Sequence, residues 1–396
     1  MKKKLKIAIY SGTIPSTSFI ERLINGVAEH HEVLLFGVQK KNISYASKTI
    51  RVFTTPKSKW VNVFVTFFRA LHLLIKQPKL LFGLLEEIKS EKTRYSKFVK
   101  FSRCLPILLH QPDILHLQWA KDIGVYGFLK TKFNIPLVVS FRGAHINYTP
   151  VVEPKYASVY KEFFPHVDAF HGVSHTIVKK ASQYDDIRSR STVIYSPTPE
   201  FFFNTYKPYQ KPNRKTIRVV SVGRNHWKKG YQYAVDALHQ LRLKGYDIEY
   251  SLIGPAKPTE ALLFQMHQLD VIDVMSFKSQ LNQQELLEAL QYQDVLLLPS
   301  LGEGIANVVL EAMAMGLPVI STDCGGMAEV VKHMETGWLV PMRDAKAIEA
   351  AIIDFYNTPE NKLKSMVSEA HVFVKREFDY ATNIAKFIEF YNTVVK

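Results

Sequence analysis

Short runs of β-branched and aliphatic residues alternate with helical stretches along almost the whole chain. This alternation is typical of βαβ units, in which helices cover a sheet of parallel strands. The first half contains the strand candidates Leu5–Tyr10, Val33–Gly37, Ile114–Gln118, Leu137–Phe141, Ala169–Val173 and Thr192–Tyr195. The second half contains Ile217–Val222, Tyr250–Ile253, Val274–Phe277, Val295–Pro299 and Val319–Thr322. The sequence therefore predicts an α/β protein with parallel sheets.

A proline-rich segment divides the chain near its middle. Residues 198–215 contain three prolines and few helix formers, which is the composition of a linker. A chain of 396 residues is also long enough for two domains. We expect residues 1–197 and 216–379 to form two Rossmann-like domains that face each other across a cleft. Residues 380–396 predict a final helix that packs back on the first domain.

Cysteine content and hydropathy indicate a cytoplasmic protein. Cys104 and Cys324, far apart in sequence, do not make a disulfide framework and fit a reducing compartment. The apolar run Ile7–Tyr10 is too short for the core of an export signal, and no uninterrupted apolar run of about 18 residues occurs.

Positive charge is concentrated in the first third of the chain. Residues 1–110 carry 20 Lys and Arg against 6 Asp and Glu, and the remaining 286 residues carry 31 against 30. This asymmetry predicts an anionic partner for the first third: a nucleic acid, an anionic membrane surface or an acidic substrate.

The segment Trp60–Ile75 predicts a helix with one polar stripe on an otherwise apolar surface. Two interpretations stay open. The helix lies in a bilayer interface at the inner face of the plasma membrane, or it packs on the core and its polar stripe faces water. Nucleic-acid binding is disfavoured because no recognisable nucleic-acid motif accompanies the charge. The membrane candidates are Trp60, Phe64, Phe67, Phe68 and Arg69.

The most specific motif follows the apolar strand candidate Val295–Pro299. It reads Ser300-Leu-Gly-Glu-Gly-Ile-Ala-Asn-Val-Val-Leu-Glu-Ala-Met-Ala, with seven residues between Glu303 and Glu311. Its glycines permit a tight turn close to a ligand, and the helix that follows offers its N-terminus to phosphate or hydroxyl groups. Glu303 and Glu311 are expected to reach two hydroxyl-bearing parts of one ligand.

A second motif follows the strand candidate Ile217–Val222 and reads Ser221-Val-Gly-Arg-Asn-His-Trp-Lys-Lys-Gly. A guanidinium and an ammonium near a helix start suit a diphosphate leaving group. Arg224 and Lys229 are the candidates, with Lys229 preferred to Lys228.

These two motifs resemble those of family-4 retaining glycosyltransferases, which have the GT-B fold. The loop that contains Gly12, after the first strand candidate, resembles that of members that assemble exopolysaccharide and lipopolysaccharide. The resemblance implies that Glu311 binds the donor ribose and that Glu303 contacts the transferred sugar. It also implies catalytic roles for Arg224 and Lys229 at the diphosphate. Further donor contacts are assigned to Gly304, Ile305, Ala306, Asn307, Phe277, Lys278 and Gly12.

Three residues of the first half are candidates for the acceptor or sugar side. In Phe141-Arg-Gly-Ala-His, Arg142 stands where the family often has histidine and His145 where it often has aspartate. His116 lies within the strand candidate Ile114–Gln118, three residues before Trp119. Each is equally compatible with an ordinary structural role.

The chain lacks both an Asp-x-Asp motif and clusters of Cys and His, so no metal or other cofactor is expected. We expect a metal-independent retaining hexosyltransferase, with a UDP-sugar donor preferred to GDP and a saccharide or lipid-linked acceptor. Its role would be in bacterial surface polysaccharide synthesis. The alternatives are an epimerase or phosphorylase on the same fold, or a non-catalytic scaffold at the membrane.

Overall fold

The computed structural model describes residues 4–395. Two compact units divide the chain: Met1–Tyr195 with Ala381–Lys396 make the first, and Ser196–Tyr380 makes the second. Each unit contains one parallel sheet. The predicted fold class, α/β with two Rossmann-like domains, is therefore confirmed.

The first unit begins with a sheet-forming strand and alternates strands with helices. Its elements are β1 Lys6–Ile14, α1 Ser18–Ala28, β2 Glu32–Gln39, β3 Ile50–Thr55, α2 Lys59–Lys76, α3 Pro78–Glu87, α4 Arg94–His110, β4 Ile114–Leu117, α5 Ile123–Tyr126, α6 Phe128–Phe133, β5 Leu137–Phe141, α7 Ala144–Asn147, α8 Thr149–Val152, α9 Lys155–Phe163, β6 Ala169–Gly172, α10 His175–Ala181 and β7 Ser191–Val193.

The sheet of the first unit has the strand order β3-β2-β1-β4-β5-β6-β7. Every residue of β4, β5 and β6 is buried, so these strands are mostly apolar, and each carries one buried polar residue: His116, Ser140 and His171, respectively. The order reverses beside β1, because the chain first builds outward to β3 and then returns to β4. Such a reversal opens a crevice at the carboxyl ends of the strands, where ligands bind in this class.

The second unit repeats this plan. Its elements are α11 Glu200–Phe203, β8 Ile217–Val222, α12 Tyr231–Leu243, β9 Ile248–Gly254, α13 Glu260–Gln268, β10 Met275–Ser279, α14 Gln283–Gln291, β11 Val295–Leu298, α15 Asn307–Met315, β12 Val319–Thr322, β13 Trp338–Val340, α16 Ala345–Asn357 and α17 Glu360–Glu377. The strand order is β10-β9-β8-β11-β12-β13, so the reversal falls between β8 and β11.

Two edge strands, β3 and β13, are absent from the sequence prediction. Strand β3 is half exposed and mixes polar with apolar residues, and β13 has three residues, so neither gives a continuous apolar run. Strand β1 also continues to Ile14 instead of ending at Tyr10, with a register irregularity against β2 between Tyr10 and Gly12.

Helix α2 has the predicted position but the opposite orientation to that expected of a core helix. The polar residues Asn62 and Thr66 are buried together with Leu73, and the aromatic residues are exposed. The interpretation of the polar stripe as the wet side is therefore wrong. Arg69 also faces inward: its guanidinium donates to the carbonyl oxygen of Thr54 at 3.1 Å, so its assignment as a membrane contact is corrected.

The last helix, α18 Tyr380–Val394, buries Ile384, Phe387, Phe390 and Tyr391. Its residues from Ala381 onward belong to the first unit. In the part of the chain that the structure describes, no helix is both long enough and apolar enough to cross a membrane.

Candidate functional site

The turn between β8 and α12 lies at the carboxyl edge of the second sheet. Gly230 has φ +65°, and a Cβ at this position would lie 2.0 Å from the carbonyl oxygen of Pro299. The amide of Leu301 donates to the carbonyl oxygen of Lys228 at 2.6 Å. Glycine at position 230 therefore lets the lysine turn pack directly on the loop that follows β11.

Glu303 occupies that loop and is held by two lysines and a serine. The ammonium of Lys229 lies 2.8 Å from Oε1, and that of Lys228 lies 3.8 Å from Oε2. The hydroxyl of Ser300 donates to Oε1 at 3.0 Å. All three charged side chains are mostly buried. The two sequence motifs, separated by more than 70 residues, thus form one cluster.

The cluster sets the charge of its members. Burial raises the pKa of Glu303, but the Lys229 and Lys228 charges and the hydrogen bonds outweigh this, and the pKa lies below its ordinary value. Burial lowers the pKa of Lys228, and the charges of Lys229 and Arg224 add to that effect against the opposing effect of Glu303. Glu303 is therefore an anion within a surplus of positive charge.

Arg224 is exposed on the same turn. Its charge acts on both Lys228 and His226, which means that it lies within electrostatic reach of the cluster. Three cationic side chains and one carboxylate at a sheet edge leave a net positive charge. This arrangement favours an anionic group such as a diphosphate.

A glycine turn after β12 supports the Glu303 loop from behind. Gly325 has φ +63°, and a Cβ there would lie 1.9 Å from the carbonyl oxygen of Glu303. The amide of Gly326 donates to the carbonyl oxygen of Gly304 at 2.8 Å. Any side chain at position 325 must displace the loop that carries Glu303.

Helix α15 begins directly after this loop. Its N-cap residue is Ala306, which provides no side-chain cap, and Asn307 is the first residue of the helix. The backbone amides at such an N-terminus can bind phosphate or hydroxyl oxygens. Glu311 is buried in the second turn of α15. Gly304 and Ala306 are buried, and Ile305 and Asn307 are half-buried.

Phe277 and Lys278 lie on the edge strand β10, which is separated from β8 by β9. Phe277 packs partly on the core, and Lys278 is exposed. Within the described residues, neither side chain forms a hydrogen bond or an ion pair with Glu303 or Lys229, so their donor-binding role stays a prediction.

A second group of candidates meets at the carboxyl edge of the first sheet. The indole of Trp119 donates to the carbonyl oxygen of Ser11, next to Gly12, at 2.9 Å, and its ring lies 5.5 Å from that of His145. Gly12 has φ +84°, and nothing lies within 4 Å of a Cβ built on it. The space above this glycine is therefore open to a ligand.

Arg142 belongs to the same edge. Its guanidinium lies 4.9 Å from the ring centre of Phe19 and donates to the amide oxygen of Gln118 at 2.9 Å. Burial lowers the pKa of Arg142 to about 10, with the nearby Tyr391 acting in the opposite direction. The Nε atom of Arg142 is buried without a hydrogen-bond partner. A half-buried cation whose Nε lacks a hydrogen-bond partner suits an anionic ligand at this edge.

His116 is 0% exposed, so the expectation that it contacts an acceptor is wrong. It is a structural residue. Its Nδ1 is 2.7 Å from the hydroxyl of Tyr391 and 3.0 Å from the amide nitrogen of Gln118, and its Nε2 is 2.7 Å from the hydroxyl of Ser140.

One assignment of hydrogens satisfies this buried network. The Nε2 atom of His171 lies 2.9 Å from the carbonyl oxygen of Ile194, so it must donate, and Nδ1 then accepts from Ser140 at 2.7 Å. Ser140 in turn accepts from Nε2 of His116, and the single lone pair on Nδ1 of His116 is shared by the Tyr391 hydroxyl and the Gln118 amide nitrogen. Both histidines are neutral. Burial, followed by the His171 and Arg142 charges, lowers the pKa of His116 well below its usual value. Burial, followed by the Arg142 charge, lowers the pKa of His171 to about 3.

The network fixes the amide of Gln118 with its nitrogen toward His116 and its oxygen toward Arg142. Sequence reasoning does not find Gln118, Trp119 or Phe19, because only the fold brings them beside Arg142. It likewise undervalues Lys228, whose contact with Glu303 depends on the turn at Gly230.

The two Rossmann-like units define the GT-B class of fold, and the second unit carries the positively charged sheet edge described above. Residues 203–372 match the family model described as "Glycosyl transferases group 1". The matched residues lie within the second unit, and the match agrees with the resemblance to glycosyltransferases drawn from the motifs.

Two relatives are similar to part of the chain. A Salmonella typhimurium protein named for glycosyl transfer in colanic acid biosynthesis is 36% identical over 172 residues, which cover 41% of this chain and 42% of that protein. The amylovoran biosynthesis glycosyltransferase AmsK of Erwinia amylovora is 34% identical over 169 residues, or 41% of each chain. The match thus spans about two fifths of the length of these relatives.

A solved structure resembles the whole fold. The Anabaena protein HepE in complex with UDP and glucose superposes with a TM-score of 0.70 at 18% sequence identity, covering 98% of this chain and 100% of that protein. At this identity the likeness concerns the fold.

Proposed function

We propose that this protein is a retaining, metal-independent glycosyltransferase of family 4. It moves a hexosyl group from a nucleotide sugar, with UDP preferred to GDP, to a saccharide or lipid-linked acceptor. The observation that carries the proposal is the cluster in which Lys229 and Lys228 hold Glu303 at the carboxyl edge of the second sheet. Such a cluster provides both a diphosphate site and a hydroxyl acceptor within one side-chain length.

The donor is bound by an exchange of partners. When the diphosphate arrives, Lys229 and Arg224 turn to its oxygens, and the uncapped N-terminus of α15 adds backbone amides. Glu303 then shares Lys229 with the diphosphate, and it accepts hydrogen bonds from the hydroxyls of the transferred sugar. Glu311, one turn into α15, accepts from the ribose hydroxyls.

Transfer proceeds with retention of configuration. The bond between the sugar C1 and the diphosphate oxygen breaks, and the acceptor oxygen bonds to C1 on the same face. The acceptor proton passes to an oxygen of the departing diphosphate, so that no carboxylate nucleophile is needed. Arg224 and Lys229 stabilise the charge that develops on the leaving group.

The cations that neutralise the diphosphate are protein side chains, and this supports a reaction without a divalent metal. The test is activity in EDTA: full activity is expected, and strict dependence on Mg²⁺ would contradict the proposal.

The acceptor is proposed to be a growing surface polysaccharide or its lipid-linked precursor at the cytoplasmic face of the plasma membrane. The names of the two relatives, both given for bacterial polysaccharide synthesis, support this acceptor class. Arg142 with its unpartnered Nε, together with His145 and the open space at Gly12, is proposed as the acceptor side.

Thermal unfolding with UDP, GDP, ADP and CMP, without added metal, tests the donor assignment. A nucleotide at about 100 times its Kd stabilises the folded protein by about 2.7 kcal/mol, which shifts the midpoint measurably. We expect stabilisation by UDP. Glu311→Ala should remove the shift, since the ribose contact is lost. No shift with any nucleotide would favour the non-catalytic scaffold, and turnover of UDP-sugar without acceptor would favour an epimerase.

A further inference from the structure

Helix α2 of the first unit buries polar residues and exposes most of its apolar residues. Its polar residues face the protein: the hydroxyl of Thr66 donates to the amide oxygen of Asn62 at 3.2 Å, and the amide nitrogen of Asn62 donates to Ser102 of α4 at 3.5 Å. Nine large apolar residues of the same helix are exposed: Trp60, Val61, Val63, Phe64, Phe67, Phe68, Leu71, Leu74 and Ile75. At 100° per residue, they cover an arc of about 160°.

This orientation is fixed by specific contacts. Besides the bonds of Asn62 and Thr66, Arg69 donates to the backbone of β3, and Leu73 is buried in the core. Rotating the helix to bury its aromatic face would break all of these contacts and would expose Leu73. The apolar face is therefore a stable part of the surface of this unit.

The following helix, α3, contacts α2 and exposes further apolar residues. Phe82 and Leu85 of α3 are exposed, while Leu81 and Leu84 of α3 are buried. We call these two exposed residues and the nine of α2 the apolar face. Exposed contiguous apolar surface of this extent marks an interaction site.

The charged residues in and around α2 have one sign, and acidic residues begin only with Glu86 and Glu87 at the end of α3. Residues 33–85 contain nine Lys and Arg and no Asp or Glu. Lys57 and Lys59 stand at the beginning of α2, Lys76 is its last residue, and Lys79 lies in the first turn of α3; all four are exposed. Lysines thus border the two ends of α2, next to Trp60 at one end and Ile75 at the other.

An anionic bilayer fits this pattern. Aromatic and aliphatic side chains enter the boundary between headgroups and acyl chains, and the lysines at the rim meet lipid phosphates. A nucleic acid would leave the apolar arc without a partner. We propose that the apolar face binds the surface of an anionic lipid bilayer, with the axis of α2 in the plane of the membrane. The inference deepens the proposed function and rests on it, because binding to a bilayer would bring the protein to a lipid-linked acceptor.

Co-sedimentation of the full chain with vesicles tests the proposal. Vesicles of phosphatidylcholine with phosphatidylglycerol should bind the protein, and vesicles of phosphatidylcholine alone should bind it much more weakly. The double variant Phe67→Asp with Phe68→Asp should lose at least about 100-fold in binding, because two rings are replaced by charges that lipid phosphates repel. Both positions are exposed, so the fold should remain intact.

Phe264 provides a matched control. It is 63% exposed, the same as Phe67, but it lies on α13 in the second unit. Phe264→Asp should bind vesicles as the wild type does. Replacing Lys57 and Lys59 by Gln should weaken binding roughly 30-fold at low salt, since each lysine near an anionic surface contributes a factor of roughly five.

Tryptophan fluorescence gives an independent reading. Trp60 is 85% exposed and should shift to shorter wavelength on anionic vesicles. Trp60→Phe should abolish the shift, and Trp227→Phe, at a residue that is also exposed, should retain it.

Equal binding by the wild type and the double Asp variant would overturn the proposal, as would equal binding to neutral and anionic vesicles. A wild type that dimerises through this face and ignores vesicles would also overturn it, in favour of a second copy as the partner. None of these results depends on sugar transfer. Vesicle binding by a chain that no nucleotide stabilises would refute the proposed donor site and leave the lipid contact standing.

Discussion

Glu303→Gln tests the candidate donor site, because this substitution should strengthen the binding of UDP and slow the transfer of the sugar. The carboxylate shares Lys229 with the incoming diphosphate. The neutral amide keeps the shape of the side chain and can still accept from Ser300. We therefore expect tighter binding of UDP together with slower transfer of the sugar.

The size of the first effect follows from the geometry. Lys229 lies 2.8 Å from the Glu303 carboxylate, and a phosphate oxygen at a similar distance on the far side of the ammonium lies about 5.6 Å (twice 2.8 Å) from it. Two unit charges at about 5.6 Å repel by about 3 kcal/mol at an effective dielectric constant of about 20. Screening by Lys228 and water removes about half, which leaves about 1.5 kcal/mol, or roughly a tenfold lower Kd.

Isothermal titration calorimetry with UDP measures this change, and turnover of the UDP-sugar measures the second. Transfer should fall roughly 10- to 100-fold, the cost of losing a charged hydrogen bond to the sugar. Glu335→Gln, at an exposed glutamate of the same unit, is the control and should change neither quantity. A Glu303→Gln protein whose Kd for UDP is unchanged or higher would refute the exchange of Lys229 between carboxylate and diphosphate.

Three further substitutions test other parts of the structure. Gly325→Ala should lower transfer at least about tenfold at pH 7 while the protein stays folded by circular dichroism, because the new Cβ would lie 1.9 Å from the backbone oxygen of Glu303 and displace it; unchanged turnover would contradict this packing. Burial raises the pKa of Asp122 from 3.8 to about 6, so its stabilising protonated form is lost as the pH rises through about 6. Asp122→Asn should therefore raise the free energy of unfolding by about 1–3 kcal/mol at pH 8 and by much less at pH 4, as urea titrations at the two values would reveal. Tyr391→Phe removes a donor to the buried His116 and should cost about 1–3 kcal/mol of stability by urea unfolding; a cost near zero would mean that the hydroxyl contributes no net stabilisation.

The second sheet and its edge were largely predictable from the sequence. The runs Ile217–Val222 and Val319–Thr322 are rich in β-branched residues, and their predicted bounds agree with the structure. The motifs around Lys229 and Glu303 were assigned to one donor, but the direct contact between these two side chains is found only in the structure.

Helix α2 illustrates what periodicity leaves undetermined. The spacing of Asn62, Thr66 and Arg69 predicts a helix with two unlike faces, and it contains no information about which face the rest of the chain covers. That choice depends on α4 and β3, where Ser102 and the carbonyl of Thr54 offer hydrogen-bond partners.

The structural role of His116 could not be predicted from the sequence for a related reason. Its partner Tyr391 is 275 residues away, and no local pattern links two such positions. The glutamine and tryptophan that follow β4 were missed for the same reason, because their contacts come from distant turns.

The position of Tyr391 has a consequence for how the protein is made. The first unit is discontinuous in sequence, so its sheet emerges from the ribosome long before α18 is available to cover it. At about 5–20 residues per second, the 275 residues between His116 and Tyr391 take roughly 14–55 s to synthesise. Throughout that interval the nascent sheet presents an uncovered apolar surface and a histidine without one of its hydrogen-bond donors. A chaperone that binds nascent chains could bind this uncovered surface. The first unit, although synthesised first, would be the last to reach its native state.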